Sequence, residues 1–257
     1  MNQQPMMGRT VPVWATAGAS QMALDYGLVR AVERSHFPSP LLRFYRWQPV
    51  AISLGYHQHT WPDAWRSLTW RGAAVDLVRR PTGGRAVLHQ GDLCYSLIVK
   101  GLQGKRRQIY TQLCEFLRVG WQRLGVRLDF GDAQRGYIHH PSCFSTATAA
   151  DLVTPTGYKL IGSAQLRHGQ TILQQGSIRL DPDPGLFHQV FGDWIQPPAL
   201  GVTVEEAIAA LHTAAQTQFQ QALPLIPLSD ADWDSLTPDY QHFFNTKASP
   251  TLVAAEA

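Results

Sequence analysis

One cysteine stands in a segment with neither helical nor strand periodicity, Gly131–Ala149, and is a candidate nucleophile. This residue, Cys143, lies in the motif PSCF. A thiolate attacks acyl groups readily and forms thioesters with them, and long aperiodic loops often carry function. The alternative is a small buried apolar residue, as free cysteines often are. Cys94, inside a strand pattern, and Cys114, on the apolar face of a helix pattern, fit that alternative.

A lysine near the start of a strand pattern is the second candidate. Lys159 is followed by two apolar residues in the segment YKLIGSAQLR. An ammonium group beside a thiol would stabilise the thiolate and would also stabilise charge that develops on an acyl oxygen. The alternative is an exposed lysine on a strand. His139 and His140 precede Cys143 and are possible bases, but closeness in a loop does not make them face the thiol.

A glycine-rich turn, RRPTGGR, follows another strand pattern. Gly83 and Gly84 allow main-chain N–H groups to approach a carbonyl, a thioester or a phosphate, because no Cβ intervenes. The alternative is a plain hairpin turn. Arg79, Arg80 and Arg85 add positive potential, although one or two of them can equally be surface charges.

His89 ends the strand pattern AVLH, shortly after the glycine turn. It is a candidate for lining a binding pocket, and the alternative is a structural histidine with satisfied hydrogen bonds. The spacing of His, Cys and Asp residues along the chain predicts no metal site, and we expect no cofactor.

The composition is that of an ordinary globular protein. The 257 residues carry a net charge of +3, with 44% hydrophobic residues and three cysteines without a CxxC pair. The mild, dispersed charge argues against nucleic acid, and no apolar run approaches the 18 to 20 residues of a membrane span. With no signal-peptide pattern at the N-terminus and no disulfide framework, we expect a cytoplasmic protein with reduced thiols that is not bound to membranes.

Helices are predicted at both ends of the chain and strands in the middle. We expect one domain over residues 19–245, a flexible lead-in over 1–18 and a frayed tail over 246–257. The predicted helices are Ser20–Arg34, Pro62–Trp70, Ile109–Leu124, Ala207–Leu223 behind a Thr203–Glu206 capping box, and one from Ser229. The predicted strands are Leu41–Trp47, Val50–Tyr56, Val75–Arg80, Ala86–His89, Leu93–Val99, Val126–Phe130, Ala150–Thr154, Tyr158–Arg167 and Thr171–Leu180. This order favours an α+β fold with a mixed or antiparallel central sheet flanked by helices.

Four stretches, in order and spacing, carry a resemblance to a known superfamily. They are RFYRWQPVAISLGYHQ, VRRPTGGRAVLHQGDLCYS, PSCF and GYKLIGSAQLRHGQTILQQGSI. Together they resemble the catalytic domain of the biotin/lipoate protein ligases, and most closely the lipoyl octanoyltransferases of the LipM type. The resemblance implies an α+β domain of that kind and an acyltransferase (lipoyl(octanoyl) transferase) that needs no ATP or metal.

The resemblance also assigns roles to residues. Cys143 would accept the octanoyl group, and Lys159 would point into the site and bind the acyl carbonyl. The substrate-binding residues would be Arg79, Arg80, Gly83, Gly84, Arg85, His89, Gly162, Ser163 and Ala164. Leu54, Val78, Ala86 and Leu88 are our candidates for an apolar tunnel around the acyl tail.

The partners implied are octanoyl-acyl carrier protein as donor and lipoyl-domain proteins as acceptors. The acceptors would be the glycine cleavage H protein (GcvH) or the E2 subunits of 2-oxoacid dehydrogenases, and we expect the enzyme to be a monomer. Two positions depart from the family pattern, because Gln90 and Gln175 stand where the family usually has an acid and a histidine. Each replaces an ionisable group by an amide, a change that bears on the pH behaviour and on substrate choice.

Other activities use the same scaffold. An ATP-dependent lipoate–protein ligase would share the glycine turn and the lysine but needs no thiol in PSCF. Octanoyl transfer between two lipoyl domains would also use a cysteine. A non-catalytic binder of lipoyl domains or acyl groups would leave Cys143 inert. A biotin ligase fits less well, because its GRGR run is absent.

Overall fold

The computed structural model describes residues 7–131, 151–192 and 196–246. The strands in these ranges are β1 Arg9–Thr16, β2 Leu41–Trp47, β3 Ala51–Leu54, β4 Thr69–Trp70, β5 Ala73–Ala74, β6 Asp76–Arg79, β7 Val87–His89, β8 Asp92–Lys100, β9 Asp129–Phe130, β10 Leu152–Val153, β11 Lys159–His168 and β12 Thr171–Arg179. The α-helices are α1 Gly18–Glu33, α2 Arg106–Arg123, α3 Pro184–Phe191, α4 Val204–Phe219 and α5 Asp230–Thr246.

The main sheet has seven strands in the order β1-β2-β8-β12-β11-β10-β9. Only β1 and β2 pair in parallel, and the other neighbours are antiparallel. A smaller sheet has the order β6-β3-β7 and combines one parallel with one antiparallel pair. The predicted α+β class with a mixed central sheet is therefore confirmed.

Both faces of the main sheet are buried, and the side chains of the central strands alternate between them. Successive side chains of a strand point to opposite sides. Leu97 of β8 therefore packs with α2 and α4, while its neighbour Ile98 packs with α1 and α5. Because helices cover both faces, every residue from Asp92 to Val99 is buried. This rigid sheet carries β11 and β12, which form one wall of the site.

The capping box predicted for the fourth helix is confirmed. The Glu206 N–H donates to Thr203 Oγ1 at 3.2 Å, and the Thr203 N–H donates to Glu206 Oε2 at 2.8 Å. These two bonds satisfy donors that the first helical turn cannot pair internally. They fix where α4 begins, and α4 in turn covers α2.

Two local predictions are wrong. Residues 9–16 of the predicted lead-in form β1, because pairing with β2 and an isolated bridge from Thr10 to Leu225 supply hydrogen bonds that local sequence does not reveal. The helix predicted over Pro62–Trp70 is a short 3-10 helix, Asp63–Ser67, and Thr69–Trp70 turns into a two-stranded ribbon with β5. In the described ranges, no helix is long and apolar enough to span a membrane.

Candidate active site

A cleft of about 290 Å³ opens between the two sheets. Its walls come from the glycine turn that joins β6 to β7, from β11 and β12, and from the first turns of α2. Met22, Tyr45, Trp47 and Cys94 line it and are nearly inaccessible to solvent, whereas Arg167 lines it and is exposed. The cleft therefore has a closed, largely apolar end and an open, cationic end.

Arg80 holds the glycine turn in shape from inside. Its guanidinium donates to the carbonyl oxygens of Ser53 at 2.9 Å, Gly83 at 2.8 Å and Arg85 at 2.7 Å. Among the described residues, no acceptor takes the main-chain N–H groups of Gly83 and Gly84. Those two groups are therefore available to a bound acyl group, while the carbonyls of the turn are already bonded.

The glycine turn lies directly against Gly55, which ends the neighbouring strand β3. A Cβ built on Gly55 would lie 1.8 Å from the carbonyl oxygen of Gly84, a distance at which backbone must move. Gly55 is therefore required by close approach of two main chains rather than by an unusual φ angle.

Gly55→Ala is expected to displace the glycine turn and to lower the unfolding free energy by about 1–3 kcal/mol, the usual cost of overpacking. Denaturant unfolding measures the loss. Gly27→Ala is the matched control, because a Cβ there meets its nearest neighbour at an ordinary 3.6 Å inside α1. Equal stability of the two variants would show that the close approach is not a constraint.

Lys159 forms a buried ion pair at the edge of the cleft. Its Nζ lies 2.9 Å from Asp151 Oδ2, and the two side chains are 3% and 4% exposed. The alternative of an exposed strand lysine is therefore wrong. A buried ammonium is tolerated because a carboxylate compensates its charge. Asp151 lines the cleft, whereas Lys159 is not part of that lining and adjoins the cleft through its contact with Asp151.

His89 lies at the closed end within a chain of hydrogen bonds. Its Nε2 is 2.8 Å from Ser53 Oγ, its Nδ1 is 2.8 Å from Asp92 Oδ2, and its ring stacks on Trp47 at 4.0 Å. Cys94 joins the group, with its thiol donating to Asp92 Oδ2 at 3.2 Å. Burial raises the pKa of the Cys94 thiol, and the Asp92 charge raises that pKa further, so this thiol stays protonated.

The fold thus brings three potential metal ligands, His89, Asp92 and Cys94, within 4.8 Å of one another, although their sequence spacing predicts no metal site. The structure accounts for all three without an ion, since each is hydrogen-bonded within the group. Ser177 Oγ adds a further bond to Asp92 at 2.7 Å.

Asp92→Asn is expected to destabilise the fold at neutral pH. Burial raises the pKa of Asp92, but the His89 interaction and the hydrogen bonds from Ser177 and Cys94 outweigh burial and hold that pKa below its ordinary value. A depressed folded-state pKa stabilises the fold above the unfolded value of about 3.9, and this contribution is lost as pH falls through the folded-state value.

Thermal unfolding of wild type and Asp92→Asn should therefore differ most above about pH 5, and the difference should shrink progressively as pH falls below about pH 4 towards the folded-state pKa. A constant difference in unfolding free energy over that range would contradict the assignment. Asp129→Asn, on an exposed carboxylate, is the control and should change stability little at any pH in the range.

The two departures from the family pattern have different places. Gln175 lines the cleft, accepts a 2.9 Å hydrogen bond from Thr82 Oγ1 and donates to Asp25. It therefore ties the glycine turn to α1. Gln90 accepts from the main-chain N–H of Asp183 at the start of α3 and does not line the cleft.

Most of the predicted binding residues meet in the cleft. Its lining includes Arg80, Gly83, Gly84, His89, Gly162, Ser163 and Ala164. Arg79 and Arg85 are not part of this lining. Arg79 donates to the carbonyls of Gly55 at 2.9 Å and Gln58 at 2.8 Å, so these contacts support the turn beside the cleft. Cys143, His139 and His140 lie outside the described residues.

The predicted acyl tunnel is wrong. Leu54, Ala86 and Leu88 pack in the cluster under the smaller sheet, and Val78 packs beside α1. None of the four lines the cleft. The reason is strand alternation, because Val87 and His89 of β7 face the cleft and their neighbours Ala86 and Leu88 face away. The apolar lining comes instead from Met22, Tyr45, Trp47 and Val87.

Sequence reasoning missed several residues of the cleft. Cys94 is buried, as predicted, but also lines the site. Tyr110 lines it from α2 and donates to the carbonyl of Ser163 at 3.0 Å. Asp151 could have been predicted from its position, because an acid eight residues before a strand lysine can pair with that lysine across a hairpin. Trp47 had no such signal.

Comparisons with known proteins identify the family of this chain. The family model for the lipoyl protein ligase A/B catalytic domain matches residues 17–212. Octanoyltransferase LipM of Carboxydothermus hydrogenoformans is 32% identical over 212 residues, which cover 80% of this chain and 78% of the relative. Octanoyltransferase LipM of Kyrpidia tusciae is 38% identical over 179 residues, covering 65% of this chain and 64% of the relative.

Two solved structures share the fold. Protein Ta0514 from T. acidophilum with bound lipoic acid superposes with a TM-score of 0.77 at 17% identity, covering 94% of this chain and 98% of that one. Lipoate-protein ligase A bound with ATP gives a TM-score of 0.74 at 18% identity, covering 94% and 96%. The resemblance of the four sequence stretches is thereby confirmed. The chain belongs to the lipoyl protein ligase A/B catalytic domain family.

Proposed function

We propose that this protein is an octanoyltransferase of protein lipoylation. It moves an octanoyl group from acyl carrier protein to Cys143 and then to a lysine of a lipoyl domain, such as that of GcvH or an E2 subunit. The observation that carries this proposal is the relationship to octanoyltransferases over 80% of the chain. The matched family region, residues 17–212, includes Cys143, Lys159 and the glycine turn.

The cleft supports the acyl half of the proposal. Its volume of about 290 Å³ lies just below the range for pockets that hold drug-sized ligands, about 300–1,000 Å³. The closed end presents Met22, Tyr45 and Trp47 to an alkyl chain. The unpaired N–H groups of Gly83 and Gly84 lie in the same cleft, so a carbonyl can be bound while the tail is buried.

In the first step, the Cys143 thiolate attacks the carbonyl carbon of the octanoyl thioester. The negative charge that develops on the carbonyl oxygen is stabilised by the N–H groups of the glycine turn and by the Lys159 ammonium. The new carbon–sulfur bond forms, the bond to the carrier sulfur breaks, and the carrier leaves as a thiolate that takes a proton from solvent. One thioester replaces another, so no energy source is needed.

In the second step, the neutral amine of the acceptor lysine attacks the Cys143 thioester. The amide bond forms, the carbon–sulfur bond breaks with Cys143 leaving as a thiolate, and the proton of the attacking amine passes to solvent. Asp151 faces the cleft with a carboxylate already paired to Lys159.

The test is acylation in the absence of nucleotide. The protein is incubated with octanoyl-acyl carrier protein, and intact-mass spectrometry is expected to show one octanoyl adduct that hydroxylamine removes. Addition of a lipoyl domain should move the group to that domain. If transfer occurs only with ATP and free octanoate or lipoate, the protein is a ligase. If neither condition modifies a lipoyl domain, it is not an enzyme of this class.

A further inference from the structure

The lining of the cleft carries more positive than negative charge. Three lining residues are arginines, Arg80, Arg106 and Arg167, and the one lining carboxylate among the described residues is Asp151. The charge of Asp151 is already balanced by Lys159 at 2.9 Å. The octanoyl group itself is neutral, so the acyl chain does not account for this excess of positive charge.

Two of these arginines differ from the third in having no partner among the described residues. The guanidinium of Arg80 donates hydrogen bonds to the main-chain carbonyls of Gly83 and Arg85 in the glycine turn and of Ser53 beside it. Arg106 and Arg167, in contrast, have neither a carboxylate within 4.0 Å nor a hydrogen-bonded acceptor in the residues that the structure describes. Both are exposed and both line the cleft.

These two arginines approach the cleft from different elements. Arg106 lies one helical turn before Tyr110 in α2, and Tyr110 is tied to β11 by its bond to the Ser163 carbonyl. Arg167 lies four residues after Ser163 on β11, on the same side of the strand by alternation. The fold thus places one guanidinium on each of two adjoining walls at the mouth.

We propose that Arg106 and Arg167 form a phosphate-ester subsite at the mouth of the cleft. The ligand that fits is the phosphate of the phosphopantetheine arm that bears the acyl thioester. This arm is longer than the acyl group, so its phosphate remains near the mouth while the thioester is inside. Arginine suits phosphate because its planar donors bind two oxygens at once. The inference rests on the proposed function, since it names the donor that the same cleft accepts.

The experiment compares two donors that differ by one phosphate. S-octanoyl-4′-phosphopantetheine and S-octanoyl-pantetheine are each offered to the wild-type protein, and kcat/KM for octanoyl adduct formation is measured. We expect the phosphorylated donor to be preferred about 10-fold or more, as charge-assisted hydrogen bonds allow. Arg106→Ala/Arg167→Ala is expected to lower that preference to about 2-fold or less, and raising the salt concentration should lower it in wild type.

Arg107→Ala is the matched control, because Arg107 is an exposed neighbour of Arg106 that does not line the cleft. It should keep the wild-type preference. The subsite assignment is overturned if wild type does not distinguish the donors, or if Arg107→Ala reduces the preference as much as the double variant does. It is also overturned if the double variant loses only ATP-dependent transfer of free octanoate, because the phosphate bound would then be that of a nucleotide.

Failure of the proposed function gives a different result. In that case neither thioester acylates the protein, whatever its arginines. Equilibrium binding of 4′-phosphopantetheine, measured by calorimetry against pantetheine, then decides the subsite alone. Tighter binding of the phosphorylated compound to wild type and to Arg107→Ala, but not to the double variant, supports it. Equal binding of the two compounds to wild type overturns it.

Discussion

Cys143→Ser is expected to lower the rate of octanoyl transfer by about 10⁴-fold or more, the scale seen when a covalent nucleophile is removed. A serine hydroxyl is far less ionised than a cysteine thiol near neutral pH, so it does not form the acyl intermediate without a dedicated base. Steady-state transfer to a lipoyl domain gives the rate, and intact-mass spectrometry shows whether the adduct is lost.

The other two cysteines provide the controls for this prediction. Cys114→Ala removes a core thiol that is fully buried, and it should leave the adduct in place. Cys94→Ala removes a thiol that lines the cleft but whose pKa is raised by burial. A persistent adduct on Cys143→Ser that disappears in Cys94→Ala would move the nucleophile to Cys94.

The second large effect is expected at Lys159. Lys159→Met removes the ammonium that we propose stabilises the acyl oxygen, and we expect transfer to fall by about 10²–10³-fold, as when one donor to an oxyanion is deleted. The same substitution leaves the Asp151 carboxylate buried without its ion pair, which costs about 3–5 kcal/mol of folding stability. A loss of activity in this variant alone would therefore have two explanations.

A double variant separates the two. Lys159→Met/Asp151→Leu replaces the buried pair by apolar side chains, a change that is often neutral for stability. We expect it to unfold close to the wild-type temperature and to remain at least 10²-fold slower in transfer. Recovery of activity together with stability would show that Lys159 acts only through the fold.

The Lys159–Asp151 pair can be compared with a second buried ion pair, which Arg43 forms with Asp25. Those two side chains also form a buried ion pair, at 2.6 Å, but neither lines the cleft. Breaking that pair should reduce stability by a similar amount. The two pairs therefore differ in whether transfer is lost once the protein is folded, which single-turnover assays at low temperature measure.

Much of the site follows from short motifs. RRPTGGR places its arginines and glycines within seven residues, so any fold that makes a turn there brings Arg80, Gly83 and Gly84 together. Glycines mark positions where backbone must approach closely, and the contact between Gly55 and Gly84 is such a position. The amphipathic pattern of α2 and the capping box of α4 are likewise local signals, and both were predicted from residue types alone.

Other features depend on contacts between distant residues. Arg79 and Arg80 are adjacent in the chain, yet only Arg80 lines the cleft, because neighbouring residues of an extended strand point to opposite sides. The prediction of the acyl tunnel was wrong for the same reason. The packing of the smaller sheet decides which face of β7 meets the cleft. His89 lies in β7 and Cys94 in β8, two strands that follow one another on either side of Gly91. Because β7 pairs with β3 and β8 pairs with β2, the contact between the two side chains depends on the tertiary structure.

The chain by itself determined the family, the α+β class and the residue types available for acyl transfer, because these depend on motifs that stay within a few residues of one another. Only the tertiary structure decided that Lys159 is neutralised by Asp151 and that Trp47 and His89 close the cleft. It also decided that Arg106 and Arg167 lie at the mouth without a partner in the part of the chain that the structure describes. Those facts depend on which strand faces which wall, and packing of the two sheets sets that choice through interactions that no single segment contains.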